Sequence, residues 1–168
     1  MDLGQELNKA SKSAFRLWLL NRIMWRVVPF NKPHKIDIVA IRDNSIKIRL
    51  PYRKKNFNHI KGIHACALAT LSEYITGLSM LRFLSPKDYR LIMKSIKMDY
   101  FYQAKQDVFA TFEIDKEKLF SRLEANLEKE DSAVVPLTVE VFDAEKNHIC
   151  TGNVDWHIKP WKKVKTRL

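Results

Sequence analysis

The alternation of apolar and polar residues changes period several times along the chain, and each change marks an element. Over residues 3–28, Phe15, Trp18, Leu19, Ile23 and Val27 recur at helical spacing with basic residues between them, and Pro29 stops the run. That pattern predicts one amphipathic helix. The period then falls to two. Ile36, Ile38 and Ala40 alternate with Asp37 and Val39, then Ile46, Ile48 and Leu50 with Lys47 and Arg49, with a break at 42–44 that makes a hairpin. Residues 63–84 are rich in Ala, Leu, Ile and Met and hold no Pro, which predicts a long helix, apolar nearly all round, ending near Ser85-Pro86. Residues 91–102 and 108–114 read as strands of imperfect period. A charged helix over 116–130 follows, with Leu119, Phe120, Leu123 and Leu127 as its stripe, then strands over 134–143 and 148–158.

A helix that is apolar on all sides has to be wrapped, and six antiparallel strands can curl around it. The expected architecture is therefore α+β, a curved antiparallel sheet around one long central helix. At 168 residues the chain is expected to form a single domain with a real core. It divides into an N-terminal helix over 1–30, a core over 31–161 and a basic tail over 162–168. No repeat, linker or low-complexity tract interrupts it.

Charge changes the picture at the two ends. Residues 1–60 hold thirteen Lys and Arg against four Asp and Glu, and residues 159–168 add five more basic residues and no acid, within a net charge of +11. Such asymmetry points to an anionic partner: nucleic acid, a membrane surface or a phosphate-bearing small molecule. The basic N-terminal helix with its two Trp has two readings, an interfacial placement on lipid and packing on its own domain, and the second is the expectation. Its charges interrupt the apolar run too soon for a membrane span, and no small-residue cleavage site marks a signal peptide. Cys66 and Cys150 lie in apolar stretches without metal or disulfide spacing, and are expected as small buried hydrophobes. The expected location is the cytoplasm.

Glu73 is the residue that most needs a reason. Past His64, the long helix carries only Glu73 and Arg82 as charged side chains. A carboxylate among apolar neighbours costs free energy unless it is paired or used. A structural pairing with Arg82 or Tyr74 is one reading and chemistry is the other. Asn58 and His64 precede it by fifteen and nine residues, around a Gly-containing turn at the helix start. Cys66, Thr70, Glu73, Gly77 and Met80 share one mostly small face, which also suits simple close packing. At ~100° per residue, His64 and Glu73 fall on opposite faces. Glu73 would then meet the helix N-terminus only of a second subunit, across a two-fold axis.

The order of elements and the Asn58, His64, Glu73 spacing of six and then nine resemble the hotdog-fold acyl-CoA thioesterases, in particular the phenylacetyl-CoA thioesterase branch. That branch carries Asn, a turn, His-Gly-Gly and a helical acid. Taken whole, with its RKKNFNH approach and ALATLSE helix, the chain most resembles an uncharacterised bacterial family of the hotdog group. The resemblance implies a hotdog fold, a homodimer or a tetramer, and two composite sites at the dimer interface. It implies no cofactor beyond the coenzyme A of the substrate. A backbone N–H at the helix start would polarise the thioester carbonyl, here that of Ala65. Asn58 would hold the water or Glu73, and His64 would lock the turn. Glu73 would act as general base or nucleophile, since thioester hydrolysis needs an activated water or carboxylate and an oxyanion stabiliser. Arg53, Lys54, Lys55 and Lys61 border this region as candidate partners for coenzyme A phosphates, with Lys162, Lys163 and Lys165 as a second candidate set.

One departure matters: Ala65-Cys66 stands where the family has Gly-Gly. It motivates an alternative, a non-catalytic hotdog protein that binds acyl-CoA, an acyl carrier or a related amphiphile. A hotdog dehydratase is a third reading, but its Gly-His-Phe-Pro-like loop is absent. Charge alone motivates a nucleic-acid binder, with Tyr52, Phe57 and Trp161 available to stack bases; no reading motif is present and nucleic acid is not expected. No metal spacing links the histidines.

Overall fold

The computed structural model describes residues 3–165. Residues 166–168 of the expected basic tail lie outside them. The chain runs through α1 (Leu3–Ala10), α2 (Ala14–Val27), β1 (Asp37–Ile41), β2 (Ser45–Leu50), α3 (Ala65–Leu81), β3 (Tyr89–Tyr100), β4 (Val108–Glu113), α4 (Lys116–Leu127), β5 (Ala133–Asp143) and β6 (His148–Pro160). The six strands form one antiparallel sheet in the order β1-β2-β4-β5-β6-β3. The sheet is curved and unclosed, and α3 packs against β2, β3, β4, β5 and β6. This is the α+β hotdog arrangement.

Burial follows the expected alternation. Ile46, Ile48 and Leu50 of β2 and Val139 and Val141 of β5 point into the core, as do Leu71, Ile75 and Leu78 of α3. Between helix and sheet the approach is close enough to need glycine at two places. A Cβ on Gly77 would lie 2.8 Å from the Trp156 ring, and one on Gly152 would lie 2.8 Å from the Ser72 side chain. The Trp156 indole N–H donates to Thr76 Oγ1 at 3.0 Å, which ties β6 to α3 beside that contact.

The N-terminal segment corrects one expectation, because it is two helices and not one. The break has a local cause: Ser13 takes an extended backbone and its hydroxyl accepts from the Arg16 N–H, capping α2. The imperfect period of β3 also has a cause, a bulge between Met93 and Ser95. Helix α2 covers the free edge of β1. Asn21 Nδ2 donates to the Ile38 carbonyl at 2.9 Å, its Oδ1 accepts from the Ile38 N–H at 2.8 Å, and the Trp25 indole donates to the Ile36 carbonyl. The side-chain amide thus stands in for a neighbouring strand. No strand among the described residues pairs with the outer side of β3.

Candidate functional site

Helix α3 positions both halves of the predicted site. At its start His64 is the N-cap: its Nδ1 accepts from the Cys66 N–H at 3.0 Å and its own N–H donates to the Asn56 carbonyl at 2.7 Å. His64 therefore caps the first turn of α3 and ties it to the approach loop. The first helical N–H, that of Ala65, has no partner among the described contacts, as expected of an uncapped first-turn donor. The Ala65 carbonyl accepts from the Tyr100 hydroxyl at 3.1 Å.

Asn58 serves the approach loop. Its Oδ1 accepts from the N–H groups of Ile60 and Gly62, at 3.1 and 2.9 Å, and closes a tight turn in which Lys61 takes a φ of 60°. Within the loop Asn58 pairs with Gly62 and Asn56 with His64, so Asn58 sits at the far end of the turn from the Ala65 N–H, and Glu73 is not with either. Eight residues of helix separate Ala65 from Glu73, about 12 Å along the axis. One protomer does not bring the two against a single carbonyl group.

Glu73 lies where α3 crosses the inner face of β3 and the turn after α2. It lines a groove of about 370 Å³ with Val28, Phe30, Asn31, Thr70, Met93 and Ile96. Its carboxylate makes no hydrogen bond or ion pair among the described residues, and burial pushes its pKa up. Neither pairing of the structural reading, with Arg82 or with Tyr74, is made by hydrogen bond or ion pair. Arg82 reaches the Arg42 carbonyl and Asn8 Oδ1 instead. Tyr74 is buried without bonding Glu73, and its phenol is pushed up chiefly by burial and then by the Glu73 charge. Of the small-residue face, Thr70 and Glu73 line the groove while Gly77 sits against Trp156.

Two residues of the site were not singled out from the sequence. Asn31 is only 3 % exposed, lines the Glu73 groove, and its amide nitrogen has no partner. Such an orphan donor beside an unpaired carboxylate is a pairing that a ligand or water would complete. Asn56, 1 % exposed, donates to the carbonyls of His34 and Pro51 and meets His34 Nδ1 at 3.0 Å. It fastens the loop that carries Phe30 and Asn31 to the loop that leads into α3.

The candidate phosphate ligands sit on that second loop. Lys54, Lys55 and Lys61 are exposed and Arg53 is half-buried, and none is in an ion pair among the described residues. Lys163 of the second set pairs instead with Asp131 at 3.2 Å. Cys150 is buried, its thiol pushed up to about 12 by desolvation. Cys66 departs from the expectation of burial: it is exposed on the first turn of α3, where His64 and Ala65 are exposed as well, and both cysteines are free.

Solved structures share this architecture. A Pseudomonas aeruginosa protein of unknown function, called a "Probable Thioesterase", superposes with a TM-score of 0.75 at 20 % identity, over 84 % of this chain and 94 % of that one. A Staphylococcus aureus thioesterase, solved as a mutant, gives 0.62 at 16 % over 79 % and 100 %. A Haemophilus influenzae thioesterase gives 0.63 at 13 % over 86 % and 90 %. At such identities the likeness is one of fold. No curated protein matches the chain in sequence. A family model does match, over residues 16–158, and the chain therefore belongs to DUF4442, a domain of unknown function.

Proposed function

We propose that this protein is a thioester hydrolase acting on acyl-CoA or an acyl-carrier thioester, with Glu73 as the reacting carboxylate. The observation that carries the reading is Glu73 itself: an unpaired, half-buried carboxylate with a raised pKa in an apolar groove. A charge held at such cost without a structural partner suits a group kept for chemistry. The thioesterases that share the fold support the class of reaction.

The site is completed by a second copy across a two-fold axis. Two features support this. Glu73 and the α3 N-terminus are about 12 Å apart within one chain, and the outer edge of β3 is open with Ile92 and Met93 exposed. In the pair, the acyl chain lies in the groove with the thioester carbonyl oxygen against the N–H of the partner subunit's Ala65. Glu73 takes a proton from water as the water oxygen attacks the carbonyl carbon. The tetrahedral oxyanion collapses, the C–S bond breaks, and the thiolate leaves with the proton. Direct attack by Glu73 is the other route; its carboxylate oxygen bonds the carbonyl carbon, the C–S bond breaks to expel the thiolate, and water opens the resulting anhydride to the acid and free Glu73, its proton passing to the thiolate. The orphan amide of Asn31 holds the attacking water or the acid product. Arg53, Lys54, Lys55 and Lys61 face the coenzyme A phosphates.

A second reading keeps the ligand and drops the chemistry: a binder of acyl-CoA or a related acyl group. One observation favours it. The Cys66 N–H is taken by His64, which leaves Ala65 as the one unpaired N–H of that turn. The experiment is thiol release from short, long and aromatic acyl-CoAs by the protein beside its Glu73→Ala variant. Turnover abolished in a folded variant is the expected result. Full activity in the variant refutes the assignment of Glu73, and ligand-induced thermal stabilisation without thiol release moves the protein to the binding reading.

A further inference from the structure

Helix α2 has two apolar faces, and the fold uses only one. Leu20 and Met24 are buried, while Asn21 and Trp25 bond the backbone of β1 and of the segment before it. The opposite face carries Phe15, 69 % exposed, Trp18, 52 %, and Leu19, 42 %. Phe15 and Trp18 stack at 6.0 Å, and the Arg22 guanidinium lies over Trp18 at 5.1 Å. Arg16 and Arg26 are exposed beside them. From Leu7 to Ile36 the sequence holds seven Lys and Arg and no Asp or Glu.

From this we infer that the outer face of α2 docks on an anionic lipid surface. Exposed aromatic and aliphatic side chains interleaved with arginine match the headgroup boundary; the acid at their margin, Asp37 in the recess beside Trp18 and Arg22, is already paired with Arg49. Rings and Leu19 enter the acyl edge while guanidinium groups meet phosphates. A second copy is the weaker match, because a two-fold contact through this face sets Arg16, Arg22 and Arg26 against themselves. A polynucleotide answers the arginines but leaves Leu19 and Val27 in water. The attachment is peripheral, since no helix among the described residues is long and apolar enough to cross a membrane. The turn that follows α2 carries Phe30, 68 % exposed, which also lines the Glu73 groove. The docking face thus runs on to the groove, although the docking itself does not rest on the hydrolase reading.

The test is co-sedimentation of the full chain with vesicles of phosphatidylcholine alone and of equal parts phosphatidylcholine and phosphatidylglycerol, read also by tryptophan emission. The expected result is binding to the anionic vesicles with a blue shift from Trp18, weakened by salt. Each of Arg16→Gln and Arg22→Gln should lower the affinity about fivefold. Phe15→Ser with Trp18→Ser should abolish the binding while the variant stays folded, with its oligomeric state unchanged and its melting temperature lowered by only a few degrees, because neither side chain belongs to the buried core. No binding to anionic vesicles, or binding that survives the Phe15→Ser, Trp18→Ser variant, overturns the proposal. So does a salt-sensitive affinity for polynucleotide that exceeds the affinity for lipid. A loss of oligomeric state in that variant assigns the face to a second copy and overturns it equally.

Discussion

Gly77→Ala sets two effects of known size against each other. In the middle of α3, alanine gains about 1 kcal/mol over glycine from helix propensity. Against that, the new methyl lies 2.8 Å from two atoms of the Trp156 ring. The ring has nowhere to go. Trp156 is 5 % exposed, pairs in register with Met93 on one side and Val135 on the other, and is bonded through its indole N–H to Thr76. Thr76 is the residue before Gly77, so the ring is pinned to the helix from which it would have to retreat. Overpacking of this kind costs about 1–3 kcal/mol. Because the ring is pinned, the cost falls in the upper part of that range, about 2–3 kcal/mol, and the net loss is about 1–2 kcal/mol, or roughly 2–8 °C in melting temperature for a chain of this size. Urea unfolding measures it directly. In a Trp156→Phe background the clashing ring atoms are gone, and Gly77→Ala should become neutral or stabilising. A higher stability for Gly77→Ala in the parent chain would refute the reasoning, since propensity would then have won.

Three further outcomes are expected. Asn56→Ala removes three part-buried hydrogen bonds and leaves two carbonyls without their donor, so it should cost about 1–3 kcal/mol and lower the melting temperature by roughly 2–12 °C; a scanning-calorimetry shift near zero would count against that junction. Burial raises the Glu73 pKa in the folded chain above its ordinary 4.5, so the folded state holds its proton longer than the unfolded one. The parent therefore loses stability as pH rises through that interval, and Glu73→Gln does not. The variant's advantage in melting temperature should open above about pH 4.5, level off at higher pH, and be absent at lower pH. Asn31→Leu removes an unpartnered buried amide and should be neutral or stabilising by about 1 kcal/mol. The same variant should lower thiol release if that amide holds water or product, and unchanged turnover would remove Asn31 from the mechanism.

Much of this was legible from periodicity. The alternation of Ile46, Ile48 and Leu50 with Lys47 and Arg49 is set by the pleat of one strand, so it is local and readable. The all-round apolar character of α3 implied its enclosure. Glu73 stood out for the same reason, as one carboxylate in a stretch that had to be buried. The break between α1 and α2 was harder to see, because neither glycine nor proline marks it. The signal there was Ser13, three residues before Arg16. Asn31 and Asn56 escaped because an asparagine in a polar loop looks like any turn residue. What sets them apart is burial between segments far apart in the chain, with Asn56 bonded to His34 across 22 positions. No local pattern encodes such a contact.

Asn21 is the side chain whose reach extends past one molecule. Its amide occupies both backbone groups of Ile38 on the outer margin of β1, so the sheet accepts a new strand on one side and refuses it on the other. Were two copies joined at β3 as proposed, both open margins would be used up and the two covered ones would face outward. Growth would then halt after a single addition. In that arrangement the chain would carry its own terminator against becoming a tape, built from Asn21 with the Trp25 indole beside it.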